Sequence, residues 1–160
     1  MSDLIVRAGT LADRPAVDRI LVSSWGEPRA AGHGRLWDLT ALPTLVAERS
    51  GEIVGVVTYE IIDGVLEVVS IDAQPPGQGT GTALLNASAE VGVAEGCTRL
   101  WLTTTNDNVD ALRFYQRRGL RIIGMKLDGV AESRALKSAI PMTGAYGIPL
   151  RDEIYLGRDL

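Results

Sequence analysis

Apolar runs alternating with glycine-containing turns predict a chain of seven strands and four helices. Leu4–Ala8 reads as a first strand. A helix follows from about Leu11 to Trp25, with Thr10 or Asp13 able to cap it and Pro15 tolerated in its first turn. Its apolar positions Val17, Ile20 and Leu21 recur at helical spacing, with Ser24 on the same face. Residues 26–43, carrying Gly26, Pro28, Gly32, Gly34 and Pro43, break both periodicities and read as irregular. Leu45–Arg49 and Ile53–Ile62 read as strands joined through Ser50-Gly51-Glu52, and Asp63-Gly64 leads into a third strand, Val65–Ala73. A helix spans about Thr80–Glu95, ended by Gly96. Strand Arg99–Thr105, helix Asn108–Arg118, strand Leu120–Leu127, helix Val130–Ala139 and strand Glu153–Gly157 complete the order, with a loop over 140–151. That order, β-α-β-β-β-α-β-α-β-α-β, predicts one α/β (α+β) domain over 1–160. Its sheet is expected to be mixed and mostly antiparallel, with about seven strands flanked by helices.

The stretch Pro76-Gly77-Gln78-Gly79-Thr80-Gly81-Thr82-Ala83-Leu84-Leu85 carries the most chemistry. A strand, a glycine turn without acidic residues and a helix N-terminus aim free backbone N–H groups at an anion. Gly77, Gln78, Gly79, Thr80, Gly81 and Thr82 are therefore candidate contacts to a phosphorylated ligand. A Walker A loop is excluded because Thr82-Ala83, not Lys-Ser/Thr, follows Gly81. The G-x-G-x-G spacing also departs from the dinucleotide fingerprint. Tight packing of the turn is the alternative.

A second segment, Asn106-Asp107-Asn108-Val109-Asp110-Ala111-Leu112-Arg113-Phe114-Tyr115-Gln116-Arg117-Arg118-Gly119, narrows the reading. Together the two segments resemble the GNAT superfamily of acyl-CoA-dependent N-acyltransferases. Gly79-Thr80-Gly81 with Ala83-Leu84-Leu85 match its pyrophosphate turn. Asn108, Ala111, Phe114, Tyr115 and Gly119 match its later N-x-x-A-x-x-x-Y helix. The end of the chain, Ser133–Lys137 and Ile148–Ile154, resembles an uncharacterised bacterial branch. Pro76 stands where the family pattern has Gln or Arg. That removes one side-chain contact to the pyrophosphate and leaves the backbone cradle. An alternative register, Gln74 to Gly79, satisfies the turn pattern but breaks its alignment to the helix.

The resemblance implies transfer of an acyl group, acetyl in the first instance, from acetyl-CoA to a primary amine of a small molecule or peptide. It implies direct attack without a covalent enzyme intermediate and without a metal. It further implies that strand Val68–Ile71 splays from its neighbour at Leu102–Thr104. The pantetheine amides would then pair with backbone at Val69 and Ile71. Asn108 is expected on the pantetheine arm, or as the N-cap of its helix, or as both. Tyr115 is expected to protonate the departing thiolate; otherwise it is a core tyrosine. Glu67 interrupts an apolar strand and is the candidate base, against simple alternation on a half-exposed strand. Glu60 and His33 are weaker candidates, His33 being expected to lie exposed in a loop. Trp25, Trp37 and Tyr59 would line the acceptor site or anchor loops, and Trp101 reads as packing. Arg151, Asp152 and Glu153 would bind a charged acceptor or cover an edge strand. The rival readings are a non-catalytic acyl-CoA-binding or protein-interaction module, and transfer to a hydroxyl.

Composition constrains the setting. Hydrophobic residues make up 46% of the 160, enough for a folded core. The net charge of −4 and the lack of a basic run argue against nucleic acid bound through its phosphates. No membrane-length apolar run and no signal-like start are visible, and one cysteine, Cys97, excludes an internal disulfide. A cytoplasmic protein is expected, and a homodimer only weakly. Cys97, past the far end of its helix, reads as a buried inert thiol.

Overall fold

A computed structural model describes residues 3–160. Seven strands share one mixed sheet in the order β1-β4-β5-β6-β7-β9-β8, and β2 with β3 forms a separate two-stranded sheet. The strands are β1 Leu4–Ala8, β2 Arg29–Gly32, β3 Arg35–Asp38, β4 Thr44–Arg49, β5 Glu52–Ile62, β6 Val65–Ala73, β7 Arg99–Thr105, β8 Arg121–Lys126 and β9 Glu153–Asp159. The helices are α1 Arg14–Trp25, α2 Thr80–Ala94, α3 Val109–Arg117 and α4 Gly129–Leu136. The expected fold class is therefore the observed one. By its contacts the chain divides into two compact units. One runs up to Arg29 and includes Asp38–Leu100 and Leu160; the other comprises Ala30–Trp37 and Trp101–Asp159.

In the first unit β1, β4, β5 and β6 form antiparallel ladders. The two hairpin turns place Ser50 and Gly51, and Asp63 and Gly64, all at positive φ. Two left-handed residues in a row match the twist of the flanking strands, so these dipeptides fix the register. Helices α1 and α2 both pack on β5 and β6. The core they close contains Val17, Ile20, Leu21, Val46, Val56, Val57, Leu66, Leu84 and Leu85. The start of α2 lies so close to β5 that a Cβ on Gly55 would stand 2.6 Å from Thr80 Cγ2 and 2.9 Å from Leu84 Cδ1. Helix α1 starts later than the periodicity predicts. A 3₁₀ turn covers Leu11–Asp13, with Thr10 as its N-cap, and Asp13 then caps α1.

In the second unit β8 pairs antiparallel with β9. The residues expected to be irregular, 26–43, contain the short strands β2 and β3. His33 and Gly34 form their turn at φ +37° and +80°. Glu153 ties this unit together. Its carboxylate is 2% exposed and accepts from the His33 N–H (3.2 Å to each oxygen), Ser133 Oγ (2.9 Å) and Tyr155 Oη (3.4 Å). It therefore neither meets solvent nor covers an edge: β9 lies inside the sheet order and β8 ends it. Among the described residues no helix is long and apolar enough to cross a membrane.

Candidate functional site

The glycine turn follows β6 directly. Gln74 donates its N–H to Val54 O at 2.8 Å, the last tie to the sheet before the chain turns through residues 75–79. Gly77 and Gly79 adopt φ near +80°, and no atom lies within 4 Å of where their Cβ would stand. Both the conformation and the open space favour glycine. Gly79 is the N-cap of α2, and the Ala83 N–H makes the first helical bond to Gly79 O at 3.0 Å. The N–H groups of the turn before Ala83 therefore have no helical carbonyl to bond, and the first turn carries no acidic side chain. Residues 74–79 are exposed, whereas Thr80 is buried and anchors the helix. The local geometry suits an anion, as the sequence predicts for Gly77, Gln78, Gly79, Thr80, Gly81 and Thr82.

β6 carries the next three candidates, Glu67, Val69 and Ile71. Its ladder with β5 pairs Thr58 with Ser70 and Tyr59 with Val68, which leaves Val69 as an extra residue on β6. A bulge of this kind releases one residue from the ladder and bends the strand. Ser70 and Thr58 flank it with a buried hydroxyl–hydroxyl hydrogen bond of 2.6 Å. Ile71 lies opposite Val57, half-buried. Glu67 is only 6% exposed, so it is no solvated strand residue. It stands directly opposite Glu60, which brings two carboxylates to one cross-strand pair.

The second unit holds Asn108 and Tyr115. Asn108 caps α3, its Oδ1 accepting from the Ala111 N–H at 3.3 Å. The capping role is thus established for this residue. Tyr115 is 8% exposed, on the buried face of α3, with its ring edge-on to Phe114 at 5.3 Å. His33 differs from its expected place in an exposed loop. It is half-buried in the β2–β3 turn, with its ring 5.1 Å from Trp37 and 5.0 Å from Trp101. Cys97 is buried, as expected.

The profile of the acetyltransferase (GNAT) family matches residues 14–120, from α1 to the end of α3. The chain belongs to this family. It is 38% identical over 135 residues to the uncharacterised protein YdhI of Bacillus subtilis, covering 84% of each chain. Among solved structures it is similar in fold to a Bacillus subtilis acetyltransferase in complex with CoA (TM-score 0.75, 21% identity, 99% of both chains). It is also similar to a ribosomal-protein-alanine N-acetyltransferase from Brucella melitensis (TM-score 0.69, 22% identity, 98% of this chain and 99% of that one).

For a GNAT chain, two features beside the turn escape sequence reasoning. Arg49, the last residue of β4, donates from Nη1 to Gln78 Oε1 at 2.9 Å and from Nη2 to Gln78 O at 3.4 Å. Nothing in its strand-end position signals a contact 29 residues away. Asp72, near the end of β6, accepts from Trp25 Nε1 at 3.0 Å. Burial pushes the Asp72 carboxyl up, against hydrogen bonds from Trp25 and Ser24 that pull it down. Trp25 thereby anchors the end of α1 to the strand that leads into the turn.

Proposed function

We propose that this chain transfers an acetyl group from acetyl-CoA to a primary amine of a small molecule or peptide, by direct attack. The observation that carries the reading is the bulge at Val69 on β6, in the strand that runs into the glycine turn. A backbone N–H released from the ladder is a fixed donor for the oxygen that gains negative charge as the amine adds. The fold neighbour that acetylates a ribosomal-protein alanine illustrates an amine acceptor on this architecture.

The residues divide the work as follows. Acetyl-CoA supplies an acyl group activated as a thioester. Gly77, Gln78, Gly79, Thr80, Gly81 and Thr82 hold its phosphates with backbone N–H groups and the positive end of α2. Val69 and Ile71 present backbone to the pantetheine amides, and Asn108 orients the same arm. Glu67 accepts the proton that the attacking ammonium must lose, directly or through water. Tyr115 gives a proton to the departing thiolate, so that nitrogen gains an acyl group and sulfur a hydrogen. The turn fits the ligand chemically: it is open, exposed, rich in unused donors and free of carboxylates in its first helical turn.

The test is a calorimetric titration of the chain with acetyl-CoA, followed by a panel of amines read out by thiol release. Binding with amine-dependent thiol release is expected. Binding without release for any amine would favour a non-catalytic acyl-CoA module, and absence of binding would overturn the coenzyme reading altogether.

A further inference from the structure

We propose that Arg49 is a phosphate-binding residue of this chain, supplying from β4 the side-chain contact that Pro76 removes from the family's turn pattern. This rests on the reading of residues 74–82 as the acyl-CoA phosphate turn. Arg49 spends its two hydrogen bonds on one neutral residue, the side-chain and main-chain oxygens of Gln78. Other arginines of the chain face carboxylates: Arg7 meets Asp13 and Glu48, Arg14 meets Asp18, and Arg113 meets Asp110. Glu52 is the strand partner of Arg49, yet among the described residues Arg49 forms no ion pair. A guanidinium offers five N–H donors in a rigid fork, so donors remain for an anion.

The location gives this free charge its meaning. Gln78 lies between Gly77 and Gly79, the two left-handed glycines whose surroundings are open. The N-terminus of α2 begins one residue later. A guanidinium and a helix N-terminus therefore converge on the same exposed turn, and both favour a phosphate. Arg49 also fixes Gln78, so that the turn is shaped before a ligand arrives.

The experiment titrates the native chain, Arg49→Met and Gln78→Ala with CoA, 3′-dephospho-CoA and pantetheine at several salt concentrations. Arg49→Met is expected to weaken CoA binding roughly tenfold and to reduce its salt dependence, while pantetheine binding stays unchanged. Gln78→Ala, which keeps the cation, is expected to retain the native salt dependence. A loss that persists with 3′-dephospho-CoA assigns Arg49 to the pyrophosphate, and a loss that disappears assigns it to the 3′-phosphate; either supports the inference. Native affinity and native salt dependence in Arg49→Met would overturn it. So would an equal loss for CoA and pantetheine, which marks a merely structural arginine. If Arg49→Met fails to fold, Arg49→Gln takes its place, judged by the same salt dependence. Failure of the native chain to bind CoA would instead remove the reading on which the inference rests.

Discussion

Thr58 Oγ1 and Ser70 Oγ share a buried hydrogen bond of 2.6 Å, on the last regular rung of β5 and β6 before Val69 is pushed out of register. The bond closes the ladder on one side of the bulge, where the pairing would otherwise be free to slip. Ser70→Ala leaves the Thr58 hydroxyl buried, at a cost of about 1–3 kcal/mol in chemical unfolding. The double variant Thr58→Val/Ser70→Ala, with neither hydroxyl, is expected to recover part of that loss. If the bulge aims the Val69 N–H, turnover falls in both variants by more than the affinity for acetyl-CoA does. Equal losses in the two quantities would mean that the bulge serves stability alone.

Tyr115→Phe removes one oxygen from a buried ring on α3. Turnover is expected to fall by roughly 10²–10⁴, the usual worth of a positioned acid, with acetyl-CoA affinity little changed. Thiol-release kinetics beside calorimetry separate the two effects. Unchanged turnover with a true acceptor would remove Tyr115 from the mechanism.

Glu67 and Glu60 face each other across β5 and β6, so a base on one strand has a second carboxylate in reach. Glu67→Gln is expected to lower kcat by about 10²-fold and to flatten the acidic limb of the pH–rate profile. Glu60→Gln should leave most of the rate. The opposite ranking would transfer the role to Glu60, and an unaltered profile in both variants would direct attention to His33.

Much of this site was legible before any coordinates, because it depends on local chemistry. Glycine spacing after a strand predicts the anion turn, and Asn108 placed before a strongly amphipathic segment predicts the start of α3. The dipeptides Ser50-Gly51 and Asp63-Gly64 predict the hairpins that set the β4–β5–β6 register. What stayed hidden depends on long-range contacts. The bulge at Val69 exists only in the pairing of β6 with β5. The reach of Arg49 to Gln78 spans 29 residues. The β2–β3 hairpin was unreadable because its strands have four residues each, with no alternation in Arg29-Ala30-Ala31-Gly32. Its His33 turn is held from outside the hairpin, by Glu153, 120 residues on.

Gly55 gives a test of the coenzyme site that touches no candidate contact to the reacting groups. A methyl there would meet Thr80 Cγ2, Leu84 Cδ1 and the Asp72 carbonyl oxygen, at 2.6, 2.9 and 3.1 Å. Gly55→Ala must therefore push the first turn of α2 away from the sheet, a strain of about 1–3 kcal/mol. The turn that holds the phosphates moves with it. We expect weaker acetyl-CoA binding at high coenzyme demand together with a lowered Tm. A variant with native affinity would show that the turn accommodates the shift.

The pair formed by Arg7 and Asp13 tests how the first unit depends on pH. Arg7 donates from Nη1 to Asp13 Oδ2 at 2.7 Å and from Nη2 to Asp13 Oδ1 at 2.9 Å, while its Nε reaches Glu48 Oε2 at 3.1 Å. This joins β1, the residue that caps α1, and β4. The Arg7 guanidinium, aided by the Thr10 N–H, holds the Asp13 carboxyl well below the usual carboxylate range. A carboxyl with a depressed folded-state pKa stabilises the fold above its unfolded value, about 3.9, and loses that contribution as pH falls toward the folded value. Asp13→Asn should therefore lower Tm most near neutral pH, with the gap to the native chain narrowing steadily below about pH 4. Since Arg7 is partly solvated, added salt should shrink the same gap at pH 7. A gap independent of both pH and salt would mean that Asp13 acts only through its hydrogen bonds at the start of α1.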